Sequence, residues 1–137
     1  MKKILSFLVA AILLHTQFAS PVYADNYVNA RWVNTKNIVI SHEYYDGEAD
    51  CCISISAFSN SIITNVDISF DQVIGNHIIN IATWNDLSSN EEFVFIETVQ
   101  NIEVDYLYRL SFTADIINNG VTETISRSFD RFYTEAD

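Results

Sequence analysis

Cysteine is almost missing from this chain of 137 residues: there are two, Cys51 and Cys52, and they are adjacent. Neighbours on a strand point to opposite faces, and a bridge between them would close a strained small ring, so no intramolecular disulfide is expected. No Cys or His cluster with ligand spacing accompanies them either, so neither a metal site nor a cofactor is expected. Proline is reduced to Pro21. Glycine occurs three times, with no glycine-rich phosphate loop and no Gly-x-Ser-x-Gly elbow. Positive charge is scarce: seven Lys and Arg stand against 18 Asp and Glu, for a formal net charge of −11. Such a surface repels nucleic acid and anionic lipid and reads as the solvated exterior of an acidic protein. Long hydrophobic runs are missing as well. The apolar run at 4–14 falls short of the roughly 20 residues that span a bilayer.

What is there begins with Lys2 and Lys3, that apolar run, and the small-residue ending Val22-Tyr23-Ala24. This is the pattern of a secretory signal peptide over 1–24, with a helical apolar stretch and cleavage after Ala24. The expectation is a secreted chain, free of the membrane after cleavage. Residues 25–34 form a weakly patterned lead-in whose aromatic residues, Trp32 among them, tuck onto the body. Residues 35–137 are enough for one domain with its own core.

Within that domain the apolar residues alternate. Over 37–45, Ile38, Ile40, His42 and Tyr44 share one face; Asp46-Gly47 supplies a hairpin turn; over 48–58, Ala49, Cys51, Ile53, Ile55 and Ala57 share the returning face. A two-residue loop there sets Ile40 opposite Ile53 and His42 opposite Cys51. Residues 62–73 carry Val66, Ile68 and Phe70 inward and Asn65, Asp67, Ser69 and Asp71 outward. Residues 77–85 (HIINIATWN) have apolar side chains on both parities, as a doubly buried or bulged strand does. A polar loop is expected at 86–90 and another strand at 91–100.

The last hairpin is the best patterned. Tyr106, Tyr108, Leu110, Phe112, Ala114 and Ile116 share one face, Asn119-Gly120 turns the chain, and Leu110 meets Phe129 while Arg109 meets Asp130. Arg127 falls opposite Phe112 on the apolar face, which marks the last strand as an edge. About seven short antiparallel strands without a helical period point to an all-β, two-sheet sandwich, with a closed up-and-down barrel as the alternative.

Tyr108-Arg109-Leu110 resembles the tyrosine corner of immunoglobulin-like and fibronectin type III sandwiches, where a tyrosine hydroxyl returns to the backbone upstream. In that likeness Leu110 stands where antibody domains keep their second cysteine and Cys51 near the first, so only the packing role carries over. Trp84 fits the tryptophan such sandwiches bury. With its leader, Thr83-Trp84, Tyr108-Arg109-Leu110 and the stretch at 119–124, the chain is similar to small secreted proteins of Gram-positive bacteria. That resemblance implies a fold and an address and no catalytic residue.

Three functions stay open. The first is a secreted, non-enzymatic domain that binds an extracellular protein or glycan through loops or a sheet edge. Trp32, Tyr44, Tyr45 and Trp84 are the candidate aromatic platforms. The second is a small hydrolase using His42 and Cys51 or a carboxylate pair. The third is structural assembly through strand edges, with a monomer able to dimerise through an outward Cys52. The acids Asp46, Glu48 and Asp50 gather near the first turn but lack the full spacing of a calcium loop.

Overall fold

The computed structural model describes residues 32–136. The expected signal-peptide helix at 1–24 and most of the lead-in lie outside the described residues. Seven strands follow in order: β1 (Thr35–Tyr45), β2 (Glu48–Ala57), β3 (Ile62–Ile74), β4 (His77–Asn90), β5 (Glu92–Gln100), β6 (Leu107–Asn118) and β7 (Val121–Phe132). They form a three-stranded sheet, β1-β2-β5, and a four-stranded sheet, β4-β3-β6-β7, with every pairing antiparallel. This is a two-sheet sandwich with free edges, consistent with an immunoglobulin-like arrangement, and not a closed barrel.

Alternation builds each sheet. Along β2, Ala49, Cys51, Ile53, Ile55 and Ala57 are buried while the residues between them face out. The partner sheet contributes Ile68 and Phe70 from β3 and Tyr108, Leu110, Phe112, Ala114 and Ile116 from β6, all buried. Burying one such large side chain contributes about 1.5–3 kcal/mol, and truncating Leu110 to alanine would cost about 2–5 kcal/mol with the cavity included. Phe70 lies flat against Tyr108, with ring centroids 5.4 Å apart and planes at 2°.

Two turns set the hairpin registers. Asp46 and Gly47 have φ of 48° and 80°, and Asn119 and Gly120 have 49° and 77°, the paired positive values that a two-residue hairpin loop requires. The pairings that result include Ile40 with Ile53, His42 with Cys51, Leu110 with Phe129 and Ala114 with Ile125. The Gly47 carbonyl also accepts the Ile102 N–H at 2.9 Å, which ties the first turn to the segment after β5.

The strand whose facing the pattern leaves open is resolved by a bulge. Ala82 pairs with Phe70 but Asn80 pairs with Asp71, so Ile81 is an extra residue that reverses the parity of β4. Ala82 and Trp84 therefore pack toward the core, while Ile78, Ile79 and Ile81 stay exposed. The expected loop at 86–90 is instead the end of β4. Asp86, at φ 57°, donates its N–H to Asp67 Oδ1 at 2.9 Å, and this second irregularity lets polar residues continue the pairing up to Ile62 with Asn90. Glu91, at φ 26°, then carries the chain to the other sheet.

The end of the lead-in is tied to the last hairpin. Glu123 accepts the Val33 N–H at 2.8 Å, the Asn34 N–H at 3.0 Å and the Thr35 hydroxyl at 2.7 Å. Trp32 lies under the Arg127 guanidinium, 5.1 Å from its ring centroid, so the cation that shares a face with Phe112 is covered by an aromatic ring at the sheet edge.

Candidate functional site

His42 and Cys51 are cross-strand neighbours, and both are buried. Burial, then the charge of Asp50, pushes the Cys51 thiol up to about 12, and its Sγ lies 4.0 Å from the Ala49 carbonyl. A thiol held protonated in the core is packing material, because the thiolate is the nucleophile. His42 sits between the sheets against Tyr44, Phe70 and Phe129, with ring centroids at 5.3–5.4 Å. The Tyr44 hydroxyl donates to the Arg131 carbonyl at 2.7 Å, so it accepts from His42 Nε2–H at 3.2 Å. That assignment leaves Nδ1 a bare acceptor, without a hydrogen-bond partner among the described residues. Burial, reinforced by the nearby Arg131 charge, lowers the imidazole to about 4. The pair is a neutral histidine beside an inert thiol.

The other sequence candidates disperse. Trp84 is partly buried and meets Phe95 edge to face at 4.8 Å. Tyr44 is buried and stacks on Tyr133 at 4.7 Å, Trp32 lies under Arg127, and Tyr45 stands out at 71% exposure. Tyr108 and Leu110 are core, and the Tyr108 hydroxyl bonds to the backbone of Glu103. Glu48 accepts from Gln100 and Asp50 from Thr98, and among the described residues no three His, Cys, Asp or Glu side chains converge as metal ligands would. Both thiols are free, and Cys52 is partly exposed between Ser41 and Ile96 on the outer face of the three-stranded sheet.

The outer face of the four-stranded sheet is ordered in transverse rows. Cross-strand pairs share a face, and the registers line up Ile78, Val73, Leu107 and Phe132 as one apolar row. The next row is Asn80, Asp71, Arg109 and Asp130. Here Asp71 accepts from Asn80 at 2.8 Å and from Ser69 at 2.9 Å, and Arg109 grips Asp130 with two bonds of 2.7 Å. Asp71 is thus nearly covered although it faces outward. The Asp130 bond, then its charge, raises Arg109, and the Arg109 bond in turn lowers Asp130.

Hydroxyls fill the third row: Thr83, Ser69, Ser111 and Ser128, one from each strand, with Ser69 and Ser111 hydrogen-bonded at 2.8 Å. Asp67, Thr113 and Ser126 follow. Beyond them stands Asp115, lowered by bonds from Thr124 and Asn65. Small side chains between two taller polar rows leave a trough of about 250 Å³, lined by Asp67, Ser69, Thr83, Asn85, Ser111 and Thr113 among others, with Ile68 and Phe112 at its floor. Arg109 stands in the neighbouring row and is engaged by Asp130, so the trough offers neutral donors and acceptors with the Asp67 carboxylate.

Sequence reasoning missed this site. Its signal is present, since the outward positions 69, 111, 113, 126 and 128 are all serine or threonine. What aligns them is the pairing of β3 with β6, which no local turn dictates.

The chain matches no protein-family model, and no curated protein matches its sequence. Among the described residues no helix is long and apolar enough to cross a membrane. Among solved structures, the chain is similar to the crystal structure of Spo0M, a sporulation control protein of Bacillus subtilis, with 14% identity and a TM-score of 0.44, over 76% of this chain and 50% of that one; it therefore spans about half of that protein's length.

Proposed function

We propose that this chain is a secreted, non-enzymatic binding module of immunoglobulin-like fold that takes a neutral glycan in the trough on the outer face of its four-stranded sheet. The observation that carries this reading is the hydroxyl row Thr83-Ser69-Ser111-Ser128 and the depression beside it. Hydroxyls both donate and accept, and with the Asp67 carboxylate and the Asn85 amide they match the dense hydroxyl pattern of a sugar. The net charge of −11 disfavours an anionic ligand, and Arg109, one row from the trough, is engaged by Asp130. Secretion rests on the leader pattern of residues 1–24, and the non-enzymatic reading rests on the inert state of Cys51.

The test is an NMR titration of the labelled protein with neutral hexasaccharides of glucose and of N-acetylglucosamine. Shifts confined to Ser69, Thr83, Ser111, Thr113 and Ser126, lost in Ser111→Trp, are the expected result. Perturbations elsewhere, or none with any of the sugars, defeat the glycan reading.

A further inference from the structure

Cations gather on one sheet. Arg109, Arg127 and Arg131 belong to β6 and β7, whereas β1, β2 and β5 hold only Lys36 against Glu43, Glu48, Asp50, Glu92 and Glu97. Lys36 sits at the register shift of β1 and lies over the Phe58 ring, 5.5 Å from its centroid. Among the described residues none of these five carboxylates enters an ion pair. Pairing orders the outer face of the three-stranded sheet in rows. Val39, Ser54 and Val94 form one and Ser41, Cys52 and Ile96 the next; then come Glu43, Asp50 and Thr98, and after them Tyr45, Glu48 and Gln100. Val39, Val94 and Ile96 are 46%, 63% and 70% exposed. Between them the central strand presents only Cys52 and Ser54, so exposed aliphatic side chains on the two outer strands flank short ones on β2. The result is a shallow apolar saddle, about 10 Å across from two strand spacings. Glu43 and Asp50 stand about 7 Å further along the strands, two residues on, and the exposed ring of Tyr45 follows in the last row.

We infer that this face docks a basic amphipathic segment of a partner protein, its aliphatic side chains on Val39, Val94 and Ile96 and its Lys or Arg side chains on Glu43, Asp50 and Glu48. Charge selects this occupant. A protein of net charge −11 steers a cationic partner toward itself, and the carboxylates beside the saddle meet its basic side chains at contact range. An apolar centre with a charged rim divides the work: burial of the aliphatic side chains supplies affinity, and the rim supplies register and on-rate. Tyr45 offers a ring face to the same cations. A second copy laid on this face would set carboxylate against carboxylate, because both ends of the saddle are acidic, Glu43 with Asp50 at one and Glu92 at the other. An anionic bilayer is repelled for the same reason. The hydroxyl trough lies on the other sheet, so this docking does not rest on the glycan reading.

The experiment is an NMR titration of the labelled protein, under reductant, with a synthetic amphipathic helix of Leu and Lys about 18 residues long. Its Leu and Glu counterpart is the charge-reversed control. The expected result is binding of the Leu and Lys peptide alone, with shifts centred on Val39, Cys52, Val94 and Ile96 and extending to Glu43 and Asp50. Ile96→Ser, at an exposed site that leaves the fold intact by circular dichroism, raises the dissociation constant at least about tenfold, the scale of about 1.4 kcal/mol. The double variant Glu43→Gln, Asp50→Asn does the same and also flattens the salt dependence, which Ile96→Ser leaves in place. No binding, equal binding of the Leu and Glu peptide, or shifts centred on another face overturns the inference. Affinity unmoved by Ile96→Ser or by loss of the two carboxylates overturns it too. Shifts at these residues when the protein alone is concentrated would assign the face to a second copy, and that also overturns it.

Discussion

The hydroxyl of Tyr108 accepts the Glu103 N–H at 2.9 Å and donates to the Glu103 carbonyl at 3.0 Å, closing a loop of five residues onto a buried ring. The ring itself lies between Phe70 and Tyr44. This side chain helps anchor the crossover from the three-stranded sheet to the four-stranded sheet, together with the backbone bonds of Ile102 to Gly47 and of Asp105 and Tyr106 to Tyr133. Burial raises the hydroxyl above its ordinary range, with the Glu103 and Gln72 bonds opposing, so it remains a donor at neutral pH.

Removing that oxygen leaves two backbone groups of Glu103 without their partner. Tyr108→Phe is expected to lower stability by about 1–3 kcal/mol in urea denaturation, with an unchanged slope. Tyr45→Phe, at an exposed tyrosine, is the control and should change stability by less than about 0.5 kcal/mol. Equal effects from the two variants would show that the crossover is held by something else.

His42 makes the fold sensitive to mild acid. The imidazole is lowered from 6.5 to about 4 in the folded chain, so between those pH values the unfolded chain holds a proton that the folded chain does not. Stability present above pH 6.5 is therefore lost as pH falls toward 4, by about 3 kcal/mol in total. Asp115, Glu123 and Asp130 are all held below the ordinary carboxylate range, and their contribution is lost at lower pH still. Urea denaturation at pH 7.0 and 5.0 reads the first window, and His42→Phe should flatten it. An NMR titration of the wild-type ring is the second check: a folded-state midpoint near 6.5 would refute the assignment.

The two cysteines should differ sharply in reactivity. Cys51 is fully buried with its thiol pushed up to about 12, whereas Cys52 is partly exposed on the opposite face of β2. Titration with a thiol reagent should modify Cys52 alone in the native protein and both residues after unfolding. Comparable native rates would mean that β2 opens readily, and would revive Cys51 as a chemical group.

Much of the fold is legible in the residues. Asp46-Gly47 and Asn119-Gly120 each force positive φ at two successive positions, which fixes a two-residue loop and with it the pairing of Ile40 with Ile53 and of Leu110 with Phe129. β4 is legible only in part. Its mixed parity signals a bulge, but the position of Ile81 follows from how Phe70 and Asp71 seat against it, and the continuation to Asn90 follows from Asp67 capturing the Asp86 N–H. Polar residues at 86–90 suggest a loop because the bond that keeps them in the sheet comes from another strand.

The sequence by itself determined the alternation, the hairpin turns and the scarcity of cross-links and positive charge, since these depend on neighbours one or two residues apart. Tertiary structure alone decided which strands pair across the long connections. Because β3 meets β6 in one register, four hydroxyls from four strands form a line and a trough, and because β4 ends its sheet among the described residues, the stretch 77–85, without Asp, Glu, Lys or Arg, lies at an edge. Both features are made by backbone pairing between distant segments, whose register is set by burying Ile68, Phe70, Leu110 and Phe112 together and not by any local pattern.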